Sequence, residues 1–208
     1  MAGHSPHPDG PEGGRHAMGK NRLEMFSDGV IAIIITIMVL ELRGPHEFSF
    51  EALQPLGPKL LSYVLSFVTI GIFWSHHHHL LHAVHHVNRA VLWANLHFLF
   101  WLSLIPAATA WMGEHQFHRV PVAVYGGLVL MVGVSYRVLE RVLVTFHDKE
   151  SALARTVGQN VKGWFSFAAY AAAIPLAFVA EWLTVLIYFG VAALWLLPDK
   201  RLETIAGE

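Results

Sequence analysis

The chain has 208 residues, 54% of them hydrophobic and only 14% charged, with mean hydropathy +0.46. Soluble domains carry about 25% charged residues, so this composition excludes an ordinary soluble globule and points to the membrane. A net charge of −1 without a basic block argues against a nucleic-acid partner, and the lack of cysteine excludes a disulfide framework, a thiolate metal site and a cysteine nucleophile.

In chain order, residues 1–18 are rich in Gly, Pro and His and poor in large apolar side chains. They cannot bury enough surface to offset their ordering entropy, so a disordered, solvated tail is expected there. They also lack the apolar centre of a signal peptide. Residues 19–201 hold six apolar segments of about the 20 residues that cross a hydrocarbon core of about 30 Å. The expected spans are Phe26–Leu42, Leu60–Leu81, Ala90–Met112, Val120–Leu143, Trp164–Val179 and Trp182–Leu197. Pro55, Gly57 and Pro58 precede the second, and Pro198 stops the sixth. The fifth and sixth are short and separated only by Ala180 and Glu181, which predicts a tight helical hairpin; an interfacial placement of one of them stays open. Residues 202–208 form a short C-terminal tail. The fold class expected is all-α, a six-helix transmembrane bundle.

Orientation follows from the lysines and arginines of the short flanking segments. With the N-terminus inside, eleven of the fourteen fall on the cytoplasmic side and three (Arg43, Lys59 and Arg119) outside. Both termini are therefore expected in the cytoplasm. No repeat relates the two halves, so inverted-repeat transporter logic has no support.

Polar residues inside a span are costly and mark function by default. At about 100° per residue, Gly29, Ile33, Thr36, Ile37 and Leu40 share one stripe of the first span, within about 60° of Ile33. Ser27 and Asp28 lie on the opposite side. A lipid-facing Asp28 costs roughly 2.5–3.5 kcal/mol near mid-membrane and less near the interface. It is better placed against a helix that supplies donors, and the second span can do so with its Trp and His side chains. Taken alone, the isoleucine stripe is ordinary packing against lipid or another helix.

Arg22, Phe26, Ser27 and Asp28 spell R-x-x-x-F-S-D at the start of the first span. This resembles the signature of the prokaryotic branch of the transmembrane protein 175 family, endosomal and lysosomal potassium channels. The segment from Gly71 to His78, with Trp74 and the histidines, is similar to the family's Trp-x-x-His pattern; Asn95 and the run to Pro106 are also family-like. The last three spans match only by length and hydropathy. The resemblance implies a homotetramer of six-span subunits in the plasma membrane, with first helices around a central pore permeable to potassium and other monovalent cations. It implies a bottleneck at Ile33, a threonine layer at Thr36 and further apolar constrictions at Ile37 and Leu40. Modest potassium-over-sodium selectivity is implied, with no cofactor and no catalysis. It also implies that Arg22, Ser27 and Asp28, with Trp74 and His77, hold the pore helix, although the run His76–His79 leaves the histidine's register open. A ring of four isoleucines can strip a hydration shell and close by dewetting.

Seven histidines crowd between His76 and His86. His78, His82 and His85 share a helical face and could present imidazoles to a transition metal. No carboxylate lies within the run, so a solvated helix end is the plainer account. A pH-sensing role is also open. Arg137, Glu140 and Arg141 sit at one end of the fourth span and read as an ion-paired terminus rather than a voltage sensor. Glu114 with His115 and His118 resembles a catalytic dyad by type only, without a nucleophile or phosphate-binding motif. The competing function is a proton-coupled or transition-metal transporter built on Asp28 and the His76–His86 cluster; a non-conducting membrane scaffold is the third reading.

Overall fold

The computed structural model of the chain describes residues 11–44, 49, 51–82, 87–146 and 161–197. Helix α1 runs Pro11–Leu40, α2 Leu56–His82, α3 Arg89–Ser103, α4 Ile105–Glu114, α5 Arg119–Phe146, α6 Val161–Leu176 and α7 Glu181–Leu196, with one 3-10 turn at Glu51–Leu53. No strand occurs among the described residues, and the fold is all-α. Four described segments are long and apolar enough to cross a membrane: Gly19–Leu40, Leu56–His82, the combined α3–α4 stretch Arg89–Glu114, and Arg119–Thr145. At about 1.5 Å per residue, the 16-residue helices α6 and α7 each reach only about 24 Å.

One expectation changes, and one span shows a break that its bounds do not reveal. The tail expected to lack structure over 1–18 is helical in its 11–18 part, where α1 begins. Pro11 stands at the first helical position, where its missing N–H costs nothing, and extending an existing helix needs no new nucleus. Residues 1–10 lie outside the described residues. The third span is not one straight helix. It breaks at Leu104, which closes α3 by donating to the carbonyls of Trp101 and Leu102 and opens α4 with Pro106 in its first turn. Proline has no N–H for the carbonyl one turn back, and its ring crowds that carbonyl, so the ladder interrupts there.

The packing keeps α1 against α2, α3 and α4, α3 against α5, and α6 and α7 as a hairpin against α5 and α2. The main core joins Ile31, Ile34 and Met38 of α1 to Leu65 and Ile70, Phe98 and Leu102, Met112, Tyr125 and Tyr188. A second cluster gathers Leu23, Leu80, Leu81, Val91 and Leu139 at the other end of α1. Two close helix approaches depend on glycine. A Cβ on Gly113 would lie 2.9 Å from Lys59 Cα and 2.5 Å from Ser62 Oγ, and a Cβ on Gly126 would run into the Tyr188 hydroxyl. Small residues at such crossings are how helices approach in lipid, where no hydrophobic force draws them together. Asn88 caps α3, its side chain accepting from Val91 N–H at 2.9 Å.

Candidate functional site

The first helix divides cleanly into two faces. Leu23, Ser27, Ile31, Ile34 and Met38 recur at helical spacing, and all are buried within the subunit. Phe26, Gly29, Ile33, Thr36, Ile37 and Leu40 form the other face and are exposed, Ile33 at 59% and Leu40 at 73%. The apolar stripe is therefore not plugged into its own subunit. A Cβ on Gly29 would meet nothing within 4 Å. Thr36 Oγ1 donates to the carbonyl of Ile33 at 2.9 Å. A hydroxyl that spends its only hydrogen on its own helix turns its oxygen lone pairs outward.

The buried face carries a polar chain across three helices. Ser27 Oγ donates to Leu23 O at 2.8 Å and accepts from Asn95 Nδ2 of α3 at 2.9 Å. Asn95 Oδ1 pairs with His77 Nε2 of α2 at 2.7 Å. With Nε2 as the donor, every member of this chain keeps a consistent hydrogen-bond direction. The His77 ring lies flat on Phe98, centroids 5.3 Å apart and planes 10° from parallel. Ser27, His77 and Asn95 are each almost completely buried, where polar groups need partners, and His77 Nδ1 is the buried atom of this chain that finds none among the described residues.

Asp28 sits one residue further round the helix and half-exposed. It accepts from Trp74 Nε1 at 2.9 Å, so the donor from the second span is the indole. The imidazole goes to Asn95 instead. Of the residues grouped by the motif, the structure thus joins Asp28 to Trp74 directly and Ser27 to His77 through Asn95 of α3. It leaves Arg22 and Phe26 exposed, and Arg22 forms no ion pair among the described residues. Asn95, the hub of the buried chain, stands out in the sequence only as family-like. An amide in an otherwise apolar run is a signal that could have flagged it.

The other charged groups behave as expected of helix ends. Arg137 pairs with Glu140 at 3.0 Å, and Lys59 reaches Glu114 at 3.5 Å. His115 Nδ1 meets the Trp111 carbonyl at 3.0 Å rather than a nucleophile. His85, grouped in the sequence with His78 and His82, lies outside the described residues. The run itself holds no carboxylate, but the fold brings one to it from α1, where Glu24 lies against His78 and His82.

These observations define a multi-pass, all-helical membrane protein with a hydrogen-bonded seam behind its first helix and an uncovered apolar face in front of it. The sequence model of the family "Endosomal/lysosomal potassium channel TMEM175" matches residues 22–106. A protein named potassium channel from Chryseobacterium sp. (strain P1-3) is 46% identical over 186 residues, covering 89% of this chain and 97% of that one. Another so named, from Chamaesiphon minutus, is 30% identical over 187 residues, covering 82% and 90%. The crystal structure of a lysosomal potassium-selective channel TMEM175 homolog from Chamaesiphon minutus superposes with TM-score 0.73 at 28% identity, covering 86% of this chain and 97% of that one. The chain belongs to the TMEM175 family.

Proposed function

We propose that the protein is a homotetrameric, potassium-permeable channel of the plasma membrane, made of six-span subunits over residues 19–201 with both termini in the cytoplasm. The observation that carries this reading is the division of α1, with its polar side hydrogen-bonded inward and the Ile33–Thr36–Ile37–Leu40 side uncovered. Four copies around an axis cover that side against each other and against a water path. The family membership and the names of the relatives support the permeant ion.

In this assembly four Ile33 side chains form an apolar ring that a hydrated cation crosses only by shedding water, and that empties of water when it narrows. Thr36, one turn along, offers oxygen lone pairs in place of part of the lost hydration, because its proton is held by the Ile33 carbonyl. Ile37 and Leu40 extend the apolar lining. Potassium gives up water more readily than sodium, which yields modest discrimination. The chemistry is permeation, with no catalytic step and no cofactor. Ser27, Asn95, His77, Asp28 and Trp74 position the pore helix from behind, and Arg22 and Phe26, exposed in the single subunit, are assigned to the same framework.

The test is potassium flux into proteoliposomes for wild type beside Ile33→Asn and Thr36→Ala. Ile33→Asn is expected to raise flux and blunt selectivity, since an amide ring stays wet. Thr36→Ala is expected to lower potassium preference with Ile33 intact. Flux identical to wild type in both variants removes this face of α1 from the pore.

A further inference from the structure

His78 and His82 take no part in the buried chain behind the pore helix. They stand one turn apart on α2, and Glu24 of α1 lies against both. Its Oε1 is 3.5 Å from His78 Nδ1 and 3.3 Å from His82 Nε2. One donor atom from each of the three residues lies within 4.8 Å of the other two. The two imidazoles meet edge to face at 4.4 Å, and the His78 ring is held against the Trp74 indole at 5.8 Å. His78 Nδ1 is sealed from solvent and has no hydrogen-bond partner, although it faces the carboxylate. Glu24 and His78 are only partly accessible, and His82 is open to solvent.

These distances suit a ligand sphere better than a hydrogen-bonded cluster. Zinc–nitrogen and zinc–oxygen bonds of about 2.0–2.1 Å put neighbouring donors of a tetrahedron about 3.4 Å apart. Both Glu24 contacts fall there, too long for a good charge-assisted hydrogen bond. Two imidazole nitrogens and one carboxylate form a borderline-soft donor set, suited to zinc-class ions and unsuited to magnesium or calcium, which take oxygen. Spacing of i and i+4 aims both imidazoles from one helical face, and Glu24 supplies the ligand that α2 lacks. The exposed side of His82 leaves a fourth position for water. A nearby positive charge, Lys20, has its Nζ turned to the His82 carbonyl at 3.2 Å.

We propose that Glu24, His78 and His82 bind a divalent transition-metal ion of the zinc class, bracing the start of the first membrane span against the end of α2. The test uses the full-length protein, stripped with a chelator and equilibrated with zinc, with bound metal counted by mass spectrometry. Histidines elsewhere in the chain are common to all samples, so the comparison is with the Glu24→Gln/His78→Gln/His82→Gln variant. That variant is expected to hold about one zinc per chain fewer. Each single substitution is expected to weaken binding of that ion by more than the roughly 10–100-fold seen for lost outer-shell partners. Equal zinc content and affinity overturn the proposal. A second measurement needs no variant: crystals of the unaltered chain soaked in zinc, with data at its absorption edge. An anomalous peak within bonding distance of the three donor atoms is expected, and an empty position there overturns the site. Both readouts are independent of ion flux, so their failure and that of the channel reading are separate.

Discussion

Asn95 shows how much one side chain can hold in place. Its amide donates to Ser27 and accepts from His77, so it links α1, α2 and α3 inside an apolar bundle. Interhelical hydrogen bonds in membranes average about 0.6 kcal/mol and reach about 1.7. Asn95→Ala removes two of them and leaves Ser27 and His77 short of partners, which sets the expected loss at about 1–2 kcal/mol. Trp74→Phe removes one bond, to the half-exposed Asp28, where water can substitute, so its cost is the smaller of the two. Thermal unfolding in detergent ranks the pair, and a larger loss for Trp74→Phe would reverse the assignment of the hub. That Asp28 needs a donor from the second span was legible in the sequence, because a carboxylate in lipid is expensive. Which donor it takes was not. Trp74 and His77 both stand on α2 as candidate donors, and in the fold the indole reaches Asp28 while the imidazole goes to Asn95 of α3.

Among the elements, α3–α4 and the α5–α7 crossing show two different limits of a linear pattern. Hydropathy runs unbroken from Ala90 to Met112, so the third span reads as one rod. The break at Leu104 comes from the backbone chemistry of Pro106, to which hydropathy is blind. The crossing of α5 and α7 rests on Gly126, which leaves room for Tyr188; the Tyr188 hydroxyl then donates to the Val122 carbonyl at 3.1 Å. Gly126→Ala forces that ring aside and is expected to cost about 1–3 kcal/mol. In a Tyr188→Phe background the obstructing hydroxyl is gone, so the same substitution is expected to cost less than it does alone. A double-mutant cycle on unfolding midpoints measures this coupling, and strictly additive effects would show that the two helices do not meet there.

For the whole molecule the decisive question is what covers the outer face of α1. The chain has no cysteine, so a single introduced thiol reports unambiguously. In the proposed tetramer Leu40→Cys faces the axis near the end of α1, and oxidation in membranes is expected to link subunits into covalent dimers. Trp93→Cys, equally exposed but on α3, is expected to remain monomeric on a denaturing gel. Dimers from Trp93→Cys alone would place the subunit contact on another face.

The membrane class, the helical content and the two-sided character of the first span are properties of sequence alone. Each follows from local rules: few charges, apolar runs of spanning length, and a 3.6-residue period that sorts Ser27 from Ile33 wherever the helix is placed. The R-x-x-x-F-S-D motif likewise identifies the family without coordinates. Tertiary structure decided the partners. Asn95 met Ser27 across 68 positions, and Glu24 reached His78 and His82 from a different helix. Such pairings depend on how helices rotate and cross in three dimensions, and residue spacing along one helix carries no record of that.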